Sequence, residues 1–233
     1  MKVTFIDHSG YLVELEKTVL LFDYEKGTIP EISGKKWYVF VSHFHQDHYN
    51  PKIFDLRKRG YDVTFIISKD VKKYRKRTLR EPYELVNWNE SYQIGEISVN
   101  TYESTDEGCA FLVRAEGRDI YHAGDLHWWH WIGEPEEENA AMKTGFIRQI
   151  DKMEDRNMDL AFMLLDPRQE GAYAWGMNYF MEHTKARIVF PMHMWGDYAL
   201  CDAYLQTEAG KKYEKRFHKI SHEGETFEIP DIK

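Results

Sequence analysis

The segment Trp37-Tyr-Val-Phe-Val-Ser-His-Phe-His-Gln-Asp-His-Tyr49 joins a hydrophobic run to a cluster of imidazoles and a carboxylate. Its first five residues are β-branched or aromatic, which predicts a buried strand. The metal-ligand types that follow within six positions are His43, His45, Asp47 and His48. Such side chains are common ligands of divalent transition metals. The segment therefore predicts a metal site in a loop at the end of a strand, with a chance His-rich loop as the alternative.

The spacing His-x-His-x-Asp-His after a strand resembles the signature of the metallo-β-lactamase superfamily. Further along, Ile120-Tyr-His-Ala-Gly-Asp-Leu126 supplies an Asp after Gly, and Arg187-Ile-Val-Phe-Pro-Met-His193 supplies a His after a strand. Segments 3–13 and 19–23 resemble the opening hairpin of the branch that contains sugar-phosphate lactonases and uncharacterised hydrolases. The resemblance implies an α/β fold, a four-layer αββα sandwich of two mixed β-sheets with outer helices, and one domain over residues 1–233.

The resemblance also implies a set of metal ligands. His43 and His45 would hold a first ion, Asp47, His48 and His193 a second, and Asp125 would bridge the two. Two zinc ions are expected, with manganese or iron as alternatives. Asp47 is the expected catalytic residue, which orients the attacking water or accepts its proton.

One element departs from the family pattern. The family usually places a His about twenty residues before the Gly-Asp pair, but residues 102–109 contain none. Asp106 is the expected replacement, with Glu107 and Ser104 as alternatives. A carboxylate binds zinc at about 2.0–2.2 Å and shifts the preference of a site towards manganese, iron or magnesium. The other possibility is that the first metal position is weak or empty.

Several residues near the expected ligands are candidates for binding substrate. Trp128 and Trp195, which follow Asp125 and His193, predict an aromatic wall or alternatively packing at the rim of the sandwich. Arg168 follows a hydrophobic strand and is the preferred anion holder, since a guanidinium binds carboxylate or phosphate bidentately; an Asp166–Arg168 turn is the alternative. His127 is a candidate acid or, alternatively, a hydrogen-bonded structural His, and His8 and His122 are interpreted as core groups or groups behind the ligands.

Composition limits the class of protein. A chain of 233 residues is long enough for one substantial core. It has no apolar run of signal-peptide or membrane-span length. The two cysteines form no Cys-x-x-Cys motif, so a reduced, cytoplasmic protein without a membrane partner is expected. The net charge of −8 argues against nucleic acid as a partner, although the basic residues of 72–80 indicate either an anion-binding surface or a solvated helix face. The oligomeric state cannot be read from the sequence.

Hydrophobic patterns predict the order of strands and helices. Strands are expected at 3–6, 11–15, 19–22, 37–41, 63–67, 97–102, 110–114, 119–122, 160–165 and 187–190. Helices are expected at 51–59, 140–157 and 197–216, and the glutamates at 134–138 favour a helix N-terminus.

The sequence thus predicts a metal-dependent hydrolase that uses a metal-activated water on a small-molecule substrate, namely a small anionic ester, a lactone or a phosphodiester. One alternative is a non-catalytic metal-binding sensor or scaffold with a degenerate first metal site. Another is a nuclease that processes nucleic acid. His45 argues against the redox di-iron branch of the family, whose members usually carry Glu at this position. The sequence contains no Gly-x-Ser-x-Gly motif, so a serine hydrolase is not supported.

Overall fold

A computed structural model describes residues 1–230, and its strands form two β-sheets. In chain order the strands are β1 (Lys2–Asp7), β2 (Gly10–Glu14), β3 (Thr18–Phe22), β4 (Lys36–Val41), β5 (Asp62–Ser68), β6 (Glu84–Val86), β7 (Ser91–Ile94), β8 (Ile97–Glu103), β9 (Cys109–Ala115), β10 (Arg118–His122), β11 (Asn157–Leu164), β12 (Lys185–Met192) and β13 (Thr226–Glu228). The first sheet has the order β13-β1-β2-β3-β4-β5-β6, and the second has the order β12-β11-β10-β9-β8-β7.

Both sheets mix parallel and antiparallel pairs. Strands β3 to β6 are parallel to one another, whereas β13, β1, β2 and β3 pair in antiparallel fashion. In the second sheet β10, β11 and β12 are parallel and the remaining pairs are antiparallel. With helices outside the sheets, this arrangement confirms the expected α/β sandwich.

The main hydrophobic core lies between the two sheets. The ring of Tyr11 stacks on Phe162 with centroids 4.1 Å apart, and Phe40 meets Phe111 edge-on at 5.2 Å. The Tyr11 hydroxyl donates a 2.6 Å hydrogen bond to the carbonyl of Pro191, which satisfies its buried polar end. Each fully buried aromatic side chain contributes about 1.5–3 kcal/mol of transfer free energy. The sheets are thereby held in a fixed relation, and so are the loops at their ends.

The helices cover the outer faces. They are α1 (Asp55–Lys58), α2 (Lys69–Arg75), α3 (Glu136–Asp151), α4 (Trp175–His183), α5 (Ala199–Gln206) and α6 (Glu208–Tyr213), with 3₁₀ turns at Pro51–Phe54, Lys76–Thr78 and Pro167–Ala172. Helices α1 and α2 contact β5, and α4 contacts β11. Within residues 1–230, every helix is too short or too polar to cross a membrane. Cys109 and Cys201 are both buried free thiols.

All ten predicted strands are present, but the helices differ in part. The 51–59 segment is helical from Pro51, and the Asn50 side chain caps its first turn as expected. Helix α3 begins at Glu136, within the acidic run, and ends at Asp151 rather than at 157. The helix expected over 197–216 is wrong in its continuity. Thr207 has extended backbone (ψ 161°) and its hydroxyl accepts from Gly210 N, so the segment splits into α5 and α6.

Five elements were not predicted, namely β6, β7, β13, α2 and α4. The three strands are only three or four residues long, which is too short for a periodic pattern. Helix α2 has the basic composition of a solvated segment, and α4 carries Gly176 near its start. Tertiary packing, rather than local pattern, determines these elements.

Candidate metal centre

Loops that follow the carboxyl ends of five strands meet at one edge of the sandwich. These strands are β1, β4, β10, β11 and β12, and they lead to His8, His43, Asp125, Asp166 and His193 respectively. The backbone N–H of His193 donates to the carbonyl of His8 at 3.1 Å, which joins the two sheets at this edge. The edge therefore gathers side chains that are far apart in the sequence.

Metal-ligand types form two adjoining clusters here. The first cluster is His43, His45, Asp106 and Asp125, and the second cluster is His8, Asp47, His48 and His193; in each, the candidate donor atoms all lie within 4.8 Å of one another. Asp125 faces both clusters. Its Oδ2 lies 3.6 Å from His43 Nε2, and its Oδ1 lies 3.0 Å from His48 Nε2 and 3.4 Å from His193 Nε2. The structure thus brings together all seven side chains that the sequence singled out as ligands.

Asp106 is the carboxylate that completes the first cluster. Its Oδ2 lies 3.3 Å from His45 Nδ1, and the two side chains are 40% and 38% exposed. The hydroxyl of Ser104 instead accepts a hydrogen bond from the backbone of Asp106 and so stabilises the turn. The first cluster is therefore the more solvent-accessible of the two, because His8, His48 and His193 are buried.

Hydrogen bonds fix the imidazoles of His43 and His48 from behind. Asp23 is fully buried and accepts from the Ser42 hydroxyl at 2.5 Å and from His48 Nδ1 at 2.8 Å. Because the Ser42 hydroxyl donates to Asp23, its oxygen accepts from His43 Nδ1 at 2.9 Å. With their proton on Nδ1, both rings would present the Nε2 lone pair to a metal ion. This is the arrangement that orients metal-binding histidines. Burial acts to lower the pKa of His48, but the carboxylates of Asp125 and Asp23 outweigh it and raise that pKa well above the usual value.

Asp166 plays the same part for His193. Its Oδ2 accepts from His193 Nδ1 at 2.9 Å, while the carboxylate also binds the backbone N–H, Nε and Nη2 of Arg168. The side chain of Asp166 is fully buried, so both contacts are shielded from water.

Buried polar atoms without hydrogen-bond partners test whether this site fits a metal. Five of them converge here: His8 Nε2, His43 Nε2, His48 Nε2, His193 Nε2 and Asp125 Oδ1. A buried polar atom without a partner costs about 1–3 kcal/mol. Donor atoms on a tetrahedral sphere of 2.0–2.1 Å radius are about 3.3 Å apart, which matches the 3.0–3.8 Å contacts among these groups. The residues fit divalent metal ions.

The charges in the site are consistent with this fit. Burial lowers the pKa of His8 to about 4 and that of His43 to about 3, so both imidazoles are neutral at pH 7. Burial opposes ionisation of Asp125, but the surrounding imidazoles outweigh it and hold its pKa well below the usual range. Burial and the nearby Asp125 carboxylate raise the pKa of Asp106. A cation between these carboxylates would relieve their mutual repulsion.

Left-handed backbone is concentrated in the site. His8, Asp23, His193 and Trp195 have φ values of 49°, 42°, 67° and 54°. Such conformations are uncommon outside glycine and cost about 1–3 kcal/mol each. The backbone of Gly108 lies close to the backbone of Ser42, because a Cβ at position 108 would be only 1.9 Å from the carbonyl oxygen of Ser42. The surrounding packing therefore imposes the loop shapes that aim the side chains.

The four candidate substrate-binding residues divide into two pairs. Arg168 and Trp195 lie beside the second cluster, with the guanidinium 4.5 Å from the Trp195 ring and 5.4 Å from the Trp131 ring. His127 is buried, and its Nε2 is hydrogen-bonded to Gln169 at 2.7 Å. Trp128 packs against Trp175 and Tyr179 of helix α4. Only Arg168 and Trp195 are placed to meet a molecule at the metal cluster.

Three residues of the centre were not recognised as such in the sequence: His8 as a member of the second cluster, Asp23, and Asp166 as the partner of His193. Each follows the carboxyl end of a hydrophobic strand, as do the recognised ligands. That position was the available signal. His122, by contrast, is where it was expected, buried behind the ligands with Nε2 2.9 Å from the carbonyl of Ser9.

The family profile described as "Beta-lactamase superfamily domain" matches residues 2–139, which is more than half of the chain. The chain belongs to the metallo-β-lactamase superfamily. A curated superfamily relative, named as a UPF0173 metal-dependent hydrolase of Carboxydothermus hydrogenoformans, is 28% identical over 145 residues. That match covers 54% of this chain and 62% of the relative, so the chain matches less than two thirds of the relative's length.

Solved structures of the superfamily fold cover nearly all of this chain. Igni18, described as a novel metallo hydrolase from Ignicoccus hospitalis, has a TM-score of 0.66 at 15% identity and covers 98% of this chain and 99% of its own. CmlA, described as a diiron β-hydroxylase from Streptomyces venezuelae, has a TM-score of 0.65 at 13% identity and covers 98% of this chain and 54% of its own. At these identities the likeness establishes the fold alone.

Proposed function

We propose that the protein is a metal-dependent hydrolase of a small anionic ester, a lactone or a phosphodiester. The observation that carries the proposal is the convergence of five buried atoms without hydrogen-bond partners, namely Asp125 Oδ1 and the Nε2 atoms of four histidines around it. The names of the curated relatives support metal dependence and hydrolysis for the region they match. The fold alone does not select a reaction, because the chemistry depends on the residues of the site.

Two divalent ions, zinc or else manganese or iron, would be held by the two clusters. His43, His45 and Asp106 would hold the first, Asp47, His48 and His193 would hold the second, and Asp125 would contact both. When bound, the ions supply Lewis acidity and lower the pKa of water. The presence of Asp106 in the first cluster favours a dinuclear enzyme over a scaffold with a degenerate site.

Asp47 is the residue assigned to handle the attacking water. It is 24% exposed, so it combines contact with the buried imidazoles and access to solvent. Burial acts to raise the pKa of its carboxyl, but His8 and His48 lower it below the usual range and keep it ionised. An ionised carboxylate at this position accepts a hydrogen bond from water and holds it in one orientation.

Arg168 is the residue assigned to bind the negative charge of the substrate. Its Nε and Nη2 hold Asp166, whereas Nη1 makes no hydrogen bond with any other described residue. Stacking against Trp131 and Trp195 limits the motion of the guanidinium plane. A guanidinium held in this way presents N–H donors to a carboxylate or phosphate group.

Elemental analysis and a hydrolysis screen test the proposal together. Purified protein reconstituted with zinc or manganese is expected to retain two ions per chain and to hydrolyse bis(p-nitrophenyl) phosphate or a simple lactone. Asp125→Asn should lower the rate at least 100-fold, whereas His222→Asn, on an exposed surface loop, should not. Failure to retain any metal after reconstitution with each ion would refute the proposal.

A second candidate is a nuclease, because a basic segment adjoins the metal loop. The N–H of Phe44 donates to Asp70 at 2.9 Å, and Arg75 Nε donates to the carbonyl of Phe44 at 3.1 Å. Helix α2 and the 3₁₀ turn after it thereby place the exposed Lys72, Lys73 and Lys76 near the His43–His48 loop. Cleavage of single-stranded RNA that is lost on charge reversal of these lysines, while small-ester hydrolysis is retained, would favour this candidate.

A further inference from the structure

The second cluster contains one imidazole more than the family resemblance implies. His8 Nε2 lies 3.3 Å from Asp47 Oδ2 and within 4.8 Å of the donor nitrogens of His48 and His193. Apart from this contact with Asp47, the buried Nε2 has no hydrogen-bond partner in residues 1–230. Its separation from Asp47 is of the size expected for two donor atoms that each lie about 2.0–2.2 Å from one shared ion.

The ring of His8 is held in place on several sides. Its ring lies 4.1 Å from the tilted His193 ring and meets the Trp195 ring edge-on at 4.6 Å, and its carbonyl accepts the His193 N–H. The left-handed backbone of His8 turns its side chain into the site at a cost in strain. Gly10 makes this tight turn possible, since a Cβ there would lie 2.9 Å from the carbonyl of Asp7.

We propose that His8 is a protein ligand of the second metal ion, together with Asp47, His48, His193 and the shared Asp125. This inference rests on the proposed metal dependence. It makes the two positions unequal: the second is buried and filled by protein groups, whereas the first is partly exposed through His45 and Asp106. The first position is therefore the more accessible of the two to a substrate from solvent.

Cadmium bound to protein with ¹⁵N-labelled histidines tests this assignment on the unaltered chain. With ¹¹³Cd in both positions, scalar coupling between cadmium and nitrogen identifies each imidazole that is a ligand. Coupling to five histidines, namely His8, His43, His45, His48 and His193, is the expected result. Coupling to four without His8 would overturn the inference and leave the metal-dependent hydrolase intact. No coupling at all would contradict the metal centre itself.

A variant adds a second readout. His8→Asn removes the imidazole but suits the left-handed backbone, since Asn adopts it readily. We expect this variant to bind the second cobalt ion at least tenfold more weakly and to alter its visible absorption, while the first ion is retained. His222→Asn, on the exposed loop, is the matched control. If folded His8→Asn binds cobalt with the affinity and the spectrum of the wild-type protein, His8 is not a ligand. If the variant does not fold, the cadmium experiment on the unaltered chain decides the question.

Discussion

Asp166 Oδ2 lies 2.9 Å from Nδ1 of His193, so a fully buried carboxylate fixes the ring of this second-cluster residue. The same carboxylate binds Arg168. One side chain therefore links the orientation of an imidazole proposed as a metal ligand to the position of the residue assigned to anion binding. A change at Asp166 should disturb both.

Asp166→Asn is expected to weaken metal binding at the second position by about 10–100-fold, the usual effect of losing a hydrogen-bond partner of a ligand. Competition with a fluorescent chelator measures this affinity. Asp159→Asn is the control, because Asp159 also pairs with arginines, Arg118 and Arg187, but away from the clusters. Equal affinities in the two variants would contradict the role given to Asp166.

Substitution of Asp106 tests the first position. Asp106→Ala should lower the retained metal from two ions to one per chain, since His43, His45 and Asp125 alone leave it short of a ligand. Asp106→His, which restores the usual residue of the family, should retain two ions and bind zinc more tightly relative to manganese. Glu107→Ala is the control. Unchanged stoichiometry in Asp106→Ala, measured by elemental analysis, would remove Asp106 from the ligand set.

Arg168→Lys keeps the positive charge but removes the planar guanidinium, which binds Asp166 and lies against the rings of Trp131 and Trp195. We expect kcat/KM for an anionic ester to fall about 10–100-fold, mostly through KM. An uncharged ester of the same alcohol is the comparison and should be affected several-fold less. Parallel losses on both esters would show that Arg168 does not recognise the charge of the substrate.

Gly108→Ala should destabilise the protein by about 3 kcal/mol or more, because the new Cβ clashes with Ser42 in addition to its left-handed φ of 67°. Gly117→Ala has a similar φ of 76° but nothing within 4 Å, so it should cost only about 1–2 kcal/mol. Urea unfolding of the metal-free proteins measures both free energies. Similar losses would show that the close approach to Ser42 is not the cause.

Removal of metal should lower stability as well as activity. Ions present at 1,000 times their dissociation constant add about 4 kcal/mol per site to the free energy of unfolding. A chelator should therefore lower the melting temperature of the wild-type protein by several degrees, and added zinc should restore it. Asp125→Asn should respond far less, and a full response in that variant would argue against a role for Asp125 in metal binding.

Hydrophobic runs were enough to predict the strands that carry the site, because buried strands such as 37–41 are continuous in sequence. The ordered motifs then located the seven expected ligands. The role of His8 was not predictable in the same way, since its contact with Asp47 depends on how the first hairpin meets the loop after β12. Asp23 and Asp166 were missed for a similar reason, because a hydrogen bond to the far side of a ring leaves no local pattern.

The hydrogen bond from His193 to His8 also bears on how the protein is made. The first cluster needs no residue beyond Asp125, whereas the second remains incomplete until His193 has been synthesised and packed against the amino-terminal hairpin. A ribosome-bound chain would thus contain every member of the first cluster before it contains every member of the second. Completion of the second cluster would show that the amino- and carboxy-terminal parts of the chain have packed together.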